Sequence, residues 1–211
     1  NEQYCAVISQ CAGGYSFYRD CRTDRLTRWA PENYKVDRPG RYLYVREPSA
    51  PAAKRLWSAT YQPMKIAPEQ FESRHGIGYT TFVQRHGDIE TRWTMLVPPD
   101  EPCEIWRVEL RNTGSTTRRL SLFSYLEWSL GNDLDWHREF QKTFIETTFI
   151  KGLRALLGVK RKLPIPSYIS TGVTEWPLSG FHAVNRRGSS YEGDKEAFVG
   201  RYRTLQDTKA V

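Results

Sequence analysis

No apolar run in this 211-residue chain approaches the 18 residues or so that a membrane-crossing helix needs, so no membrane span is expected. The opening Asn1-Glu-Gln-Tyr has neither a basic start nor an apolar stretch, so no secretory signal is read there. The four cysteines, Cys5, Cys11, Cys21 and Cys103, form no Cys-x-x-Cys pair, and the four histidines have no ligand spacing beside them. A structural zinc site is therefore not expected, nor any other metal. Scattered thiols in a chain this long suit a reducing cytoplasm, while a disulfide between two of them stays open. No Gly-x-Gly-x-x-Gly run leads into a helix pattern, which removes the dinucleotide fingerprint. The net charge of +7 is spread along the chain. Its densest run, Lys151 to Lys162, reads as a solvated face or loop. Without an RNA-recognition, zinc-finger or helix-turn-helix signature, nucleic acid is not an expected partner.

Helical periodicity is also missing. No stretch before residue 150 keeps a period near 3.6 over a dozen residues; Gly152-Leu-Arg-Ala-Leu-Leu-Gly-Val159 is the best candidate and is short. Strand patterns take its place. Arg41-Tyr-Leu-Tyr-Val-Arg46 sets Tyr42 and Tyr44 on one face and Leu43 and Val45 on the other. Ile89 to Val97 is rich in β-branched and aromatic residues and stops at Pro98-Pro99. Ile105 to Leu110 points Trp106, Val108 and Leu110 one way, against Arg107, Glu109 and Arg111. Leu120 to Trp128 aligns Leu120, Leu122, Ser124, Leu126 and Trp128. The intervening Asn112-Thr-Gly-Ser-Thr is a turn signal, so these two strands are expected to form an antiparallel hairpin. Phe181–Asn185 and Ala197–Tyr202 read as further short strands. Residues 151–177 read as an irregular insertion or loop broken by Pro164 and Pro166. With 39% apolar residues a core is feasible. Many short strands with Gly and Pro turns imply a single all-β sandwich or barrel.

Gly13-Gly14 implies a tight turn or a close backbone approach. His75, after Arg74, lacks a nucleophile or carboxylate fixed by sequence and is read as a hydrogen-bonded structural histidine. Glu127-Trp128-Ser129 fits packing at a strand end. Asn132-Asp-Leu-Asp-Trp-His-Arg-Glu-Phe-Gln-Lys142 differs from these. It gathers three carboxylates, two amides, an imidazole, a guanidinium and an indole. Sugars are held by such bidentate polar groups together with an aromatic face, and loops on a rigid sheet tend to carry function. Asp135, Trp136, His137 and Arg138 are the candidate sugar contacts; a solvated polar loop is the other reading. Asp133 and Asp135, two apart on one loop, do not make an opposed glycosidase pair.

Several blocks occur in a fixed order: Ala12-Gly-Gly-Tyr-Ser-Phe-Tyr-Arg-Asp20, Trp57-Ser-Ala-Thr-Tyr-Gln-Pro63 and Arg74-His-Gly-Ile-Gly-Tyr-Thr-Thr-Phe82. Leu96-Val-Pro-Pro-Asp100, Glu104-Ile-Trp-Arg-Val-Glu-Leu-Arg-Asn112 and Leu120 to Trp128 follow, then Gly180-Phe-His-Ala183 and Glu196 to Arg203. In this order the chain resembles the N-terminal domain of glycoside hydrolase family 94, formerly glycosyltransferase family 36, which includes cellobiose, cellodextrin and chitobiose phosphorylases. The resemblance implies an antiparallel β-super-sandwich of the galactose mutarotase type. Residues 1–211 are then a fragment of that single domain, incomplete at both ends. It also implies a homodimer, a β-linked oligosaccharide as substrate and an (α/α)6 barrel domain outside this chain. That barrel carries the acid, an aspartate, while inorganic phosphate, as co-substrate rather than cofactor, attacks the anomeric carbon with inversion. No catalytic residue is assigned to this chain, which alone is expected neither to cleave nor to make a glycosidic bond. The stretch 132–142 is implied to lie at the active-site rim and to reach the neighbouring chain's pocket. An autonomous carbohydrate-binding module and a purely structural dimerisation domain are the alternatives.

Overall fold

The computed structural model describes residues 1–29, 37–131, 144–161 and 176–211. It contains β1 (Tyr4–Ala6), β2 (Ser16–Tyr18), β3 (Arg25–Thr27), β4 (Tyr42–Arg46), β5 (Leu56–Ser58), β6 (Gln70–Gly76) and β7 (Tyr79–His86). There follow β8 (Ile89–Leu96), β9 (Ile105–Asn112), β10 (Ser121–Tyr125), β11 (Trp128–Gly131), β12 (Ile145–Ile150), β13 (Ala155–Lys160) and β14 (Ser179–Ala183). A short helix α1 (Lys195–Val199) precedes the last residues. The strands form four antiparallel sheets, in the orders β1-β2-β3-β11, β10-β4-β5, β12-β13-β14 and β6-β7-β8-β9. The all-β super-sandwich reading therefore holds. Among the described residues no helix is long and apolar enough to cross a membrane.

Strand β4 is the middle of the fold. Its alternation places Tyr42 and Tyr44 against Tyr125 and Phe198 on one side. On the other, Leu43 packs with Phe82, Trp93 and Met95, and Val45 with Trp57 and Ile89. All four residues Tyr42 to Val45 are buried because both faces of the strand are covered. Burial holds the Tyr42 and Tyr44 phenols neutral, with pKa values well above the ordinary tyrosine range.

Four expected features differ. Ile105–Asn112 and Ser121–Tyr125 do not form a hairpin. β9 pairs with β8 from Ile89↔Asn112 to Leu96↔Ile105, whereas β10 pairs with β4 from Ser121↔Arg46 to Tyr125↔Tyr42. The turn between them crosses from one sheet to the other. Arg118 stitches that crossing by gripping buried Glu47 with Nε and Nη2 and reaching Asp88 with Nη1 at 3.3 Å. The stretch Leu120–Trp128 is also not one strand. It breaks at Leu126-Glu127, and the chain passes into the sheet of β3, so the buried positions are Tyr125 and Glu127 while Leu122 is exposed. Finally, Gly152–Val159 is not helical and 151–177 is not wholly irregular, because Ala155–Lys160 is β13, the centre of its sheet. Ala197–Tyr202 shows the reverse error. Asp194 accepts from Ala197 N at 2.7 Å and caps α1, which ends at Gly200 with φ 91°.

The segment before β4 is fastened by Arg41. Its guanidinium is fully buried and donates to Ser16 Oγ at 2.7 Å, Val7 O at 2.6 Å, Gly13 O at 3.2 Å and Glu104 Oε2 at 3.3 Å. Glu104 also accepts from Ser16 Oγ at 2.5 Å and from Trp106 Nε1 at 2.7 Å. Removing one member of a buried pair strands the other charge in low dielectric, at a cost of about 3–5 kcal/mol. Arg41→Met is therefore expected to lower the urea midpoint by an amount equal to about 3 kcal/mol or more. The comparison is Arg85→Met, whose pairing with Glu69 at 3.3 Å is solvent-exposed. It should cost no more than about 1 kcal/mol.

Candidate functional site at the end of strand β11

The candidate sugar contacts Asp135, Trp136, His137 and Arg138 lie outside the described residues, as do Asp133 and the rest of 132–142. What the structure describes is the frame that this stretch leaves and re-enters. It leaves directly after β11. That strand advances from Trp128 to Gly131 while its partner β3 advances only from Thr27 to Arg25, so β11 carries an extra residue. Leu130, at φ 48°, occupies the left-handed region that non-glycine residues avoid, and Gly131 follows at φ 118°. A left-handed leucine costs on the order of 1–2 kcal/mol. Complete burial of its side chain offsets that cost.

The burial depends on two glycines. Gly158 of β13 and Gly180 of β14 are register partners. A Cβ on Gly158 would lie 3.2 Å from both Leu130 Cδ1 and the Trp128 ring. On Gly180 it would lie 2.8 Å from Trp128 Cζ3 and 2.9 Å from Leu130 Cδ2. The glycine pair thus floors a slot for the two large side chains of β11. Here glycine is needed for close approach rather than for its backbone freedom.

The ends of the surrounding segments meet at one edge of this sheet. Arg161 N donates to Phe144 O at 2.9 Å, and Trp176 stands over Gly131, within 3.3 Å of where its Cβ would be. Residues 132–143 and 162–175 are therefore bounded at the same place. The Trp176 indole donates to Asp24 Oδ1 at 3.0 Å. Beside it, Arg25 lies over the Tyr15 ring at 4.1 Å, and Tyr15 meets Trp29 at 5.6 Å. Tyr15 and Trp29 are half-buried, while Trp176 and Arg25 are buried, so only the first two rings and the Asp24 carboxylate keep surface that a sugar could meet. Sequence reasoning did not select Tyr15, Arg25, Trp29 or Trp176 as site residues. The only signal was the high aromatic content, which does not distinguish wall from core.

Glu127 closes the other end of β11. Buried, it accepts from Tyr125 Oη at 2.8 Å, Lys195 Nζ at 2.9 Å and Arg28 Nη1 at 3.1 Å, and its carbonyl accepts from Arg28 N at 2.8 Å. Burial pushes its carboxyl pKa up. The cations of Lys195 and Arg28 and the donated hydrogen bonds outweigh that, so the net position is below the usual carboxylate range. Thus Glu127 does more than pack, since it joins β10, β3 and α1 at the corner where the chain changes sheets.

The other residues singled out by sequence have structural roles. His75 bonds to Ser73 Oγ at 2.9 Å and Thr80 Oγ1 at 3.0 Å. Gly14, at φ 101°, leaves 2.2 Å between its would-be Cβ and Val7 O, so both the turn and the close approach apply. All four cysteines are free. Among the described residues no group of histidine, cysteine and acidic side chains is placed to hold a metal ion.

The whole chain, residues 1–211, matches the supersandwich domain of glycosyl hydrolase 94. It is 32% identical to the N,N'-diacetylchitobiose phosphorylases of Vibrio furnissii and Vibrio proteolyticus, in each case over 100% of this chain and 25% of that protein. It is 31% identical to a cyclic β-(1,2)-glucan synthase of Rhizobium meliloti over 88% of this chain and 6% of that protein. The chain therefore spans about a quarter of the length of the two phosphorylases.

Two outcomes follow from the frame. Gly180→Ala should cost about 1–3 kcal/mol through overpacking, and Trp128→Phe in the same chain should recover part of it. Gly152→Ala, whose Cβ meets nothing within 4 Å, should stay within about 0.5 kcal/mol of the parent. Glu127 has a lowered folded pKa, so its stabilisation is complete above its unfolded value of about 4.3 and is lost as pH falls through the folded value. Glu127→Gln should therefore flatten the acid limb of a urea-midpoint profile below about pH 4.5; an unchanged limb would assign that slope to other carboxylates.

Proposed function

The chain belongs to the glycosyl hydrolase 94 family through its supersandwich domain, and from that premise we propose that it is the non-catalytic sandwich of an inverting β-glycoside phosphorylase, helping to form the acceptor side of the substrate pocket. The observation that carries this reading is the match over the full length of the chain to proteins named as phosphorylases. The frame around β11 supports it. A strained, fully buried Leu130 and a glycine-floored slot hold the point from which 132–142 departs, and such strain persists where the surrounding packing over-determines it.

In this reading a β-linked oligosaccharide is the substrate and inorganic phosphate the co-substrate, with no further cofactor. The acid and the phosphate site belong to an (α/α)6 barrel outside this chain, the assembly is a homodimer, and its location is cytoplasmic. Phosphate attacks the anomeric carbon while the barrel aspartate protonates the leaving oxygen, so one carboxylate suffices. The part assigned to this chain is positioning. Asp135 accepts from two sugar hydroxyls, Arg138 donates in a fork, His137 does either, and Trp136 covers an apolar ring face. The 31% identity to a glucan synthase favours a broader second reading, in which the sandwich serves β-glucan handling without being tied to phosphorolysis.

A charge-assisted hydrogen bond of this kind contributes about 1.5–3 kcal/mol. Arg138→Ala in the intact enzyme should weaken acceptor use about tenfold or more, at about 1.4 kcal/mol per decade. Phosphate affinity should change less. Steady-state kinetics in the synthetic direction separate the two, and unchanged acceptor kinetics would reduce 132–142 to solvated surface.

A further inference from the structure

The turn joining β12 to β13 is Lys151-Gly-Leu-Arg154, and the chain leaving β14 runs Val184-Asn-Arg-Arg187. Two contacts hold these stretches side by side. Val184 N donates to Arg154 O at 3.3 Å, and Arg154 Nη1 donates to Asn185 O at 3.0 Å. Four exposed cations, Lys151, Arg154, Arg186 and Arg187, therefore gather at one end of the three-stranded sheet. No aspartate or glutamate occurs between residues 150 and 156 or between 181 and 191. Among the described residues no ion pair engages any of the four, whereas Arg161, past the far end of β13, pairs with Glu146 at 2.8 Å.

Charge alone would describe a solvated end, but this one also carries apolar side chains. Leu153, on the turn itself, is 69% exposed, and Val184, beside Arg154, is 44% exposed. Phe181 of β14, two residues earlier than Ala183, is 60% exposed. Apolar side chains set among lysine and arginine suit the headgroup layer of an anionic bilayer. There the apolar groups enter the acyl boundary, while the long cationic side chains keep their charges at the phosphates. A nucleic-acid backbone would engage the cations and leave Leu153 and Val184 in water. The lipid surface therefore uses both features of this end, and the nucleic acid only one.

We infer that this end of the β12-β13-β14 sheet is a peripheral docking surface for an anionic lipid bilayer, with Leu153 at the acyl boundary and the four cations at the headgroups. The net charge of +7 assists the approach to such a surface. The contact is interfacial and needs no spanning segment. It does not depend on the sugar reading, since neither test bears on the other.

Flotation of the 211-residue chain with lipid vesicles tests it. The chain should bind vesicles of equal parts phosphatidylcholine and phosphatidylglycerol, and not vesicles of phosphatidylcholine alone. A cation near an anionic bilayer contributes about 1 kcal/mol, which is about fivefold in affinity. Arg186→Gln combined with Arg187→Gln should therefore weaken binding about 25-fold. Arg92→Gln combined with Arg107→Gln removes the same charge from the four-stranded sheet and should change binding less than about fivefold. Leu153→Ser should weaken vesicle binding while leaving retention on heparin unchanged, with circular dichroism confirming that each variant is folded. A chain that ignores the mixed vesicles overturns the inference. So does an equal loss from both double variants, which would leave net charge as the only cause. Vesicle binding indifferent to Leu153→Ser overturns it too, since the surface would then be a general polyanion contact such as a nucleic acid would use.

Discussion

A guanidinium sealed from water is tolerable only where the protein replaces its hydration shell with acceptors. Arg41 meets that condition at its two terminal nitrogens, with a hydroxyl, two backbone carbonyls and a carboxylate drawn from three separate stretches of chain. The N-terminal strands, the segment entering β4 and the residues before β9 cannot move independently without exposing an unpaired charge. Trp106, held by Glu104, then passes this constraint to the core, where it meets Trp93 edge-on at 5.2 Å and His182 at 5.3 Å. A hydrophobic pair at the same place would add burial without fixing direction. The charged cluster fixes where each segment must stop.

Glu127 repeats the device at the point where the chain leaves the sheet of β4 for the sheet of β3. Its two cations come from opposite ends of the described chain, Arg28 and Lys195. The corner therefore closes only when α1 has docked on the tyrosine-lined face of β4. β11 then runs between this polar corner and the apolar slot over Gly158 and Gly180. A strand held at one end by charge and along its length by close packing can carry a left-handed leucine without relaxing. That rigidity gives the stretch leaving Gly131 a defined origin beside Trp176, Asp24 and the Tyr15–Trp29 pair. Loops that carry function on sandwich folds need such an origin, because their own backbone offers little to resist displacement.

Some of this was legible in the residues. The alternation set Tyr42 and Tyr44 on one face of the strand and Leu43 and Val45 on the other, as they are; that both faces are covered is seen only in the fold. Pro98-Pro99 marked the end of β8. The paired turn glycines marked a close approach. Strand partners were not legible. Trp106, Val108 and Leu110 form an apolar face that would serve equally in a hairpin with β10 or beside β8, since amphipathicity states which face is inward and not which neighbour lies alongside. The misreading of Gly152–Val159 has the same origin. Its leucines and glycines suggested a short helix or loop, and only the facing Trp128 and Leu130 explain why a glycine sits mid-strand. Ala197–Tyr202 was misread because Asp194, the capping residue, lies outside the pattern that suggested a strand.

The sequence by itself determined the all-β class, the family and the chemical character of 132–142, because alternation, ordered blocks and local composition are properties of contiguous residues. Only the tertiary structure decided which sheet each strand entered and that Arg41 and Glu127 are structural anchors. It alone brought Tyr15, Asp24, Arg25, Trp29, Gly131 and Trp176 to one edge. The physical reason is distance along the chain. Arg41 and Glu104, or Asp24 and Trp176, find each other only after many intervening residues have been packed. No local pattern encodes a contact whose stabilisation depends on burial that the rest of the fold must first provide.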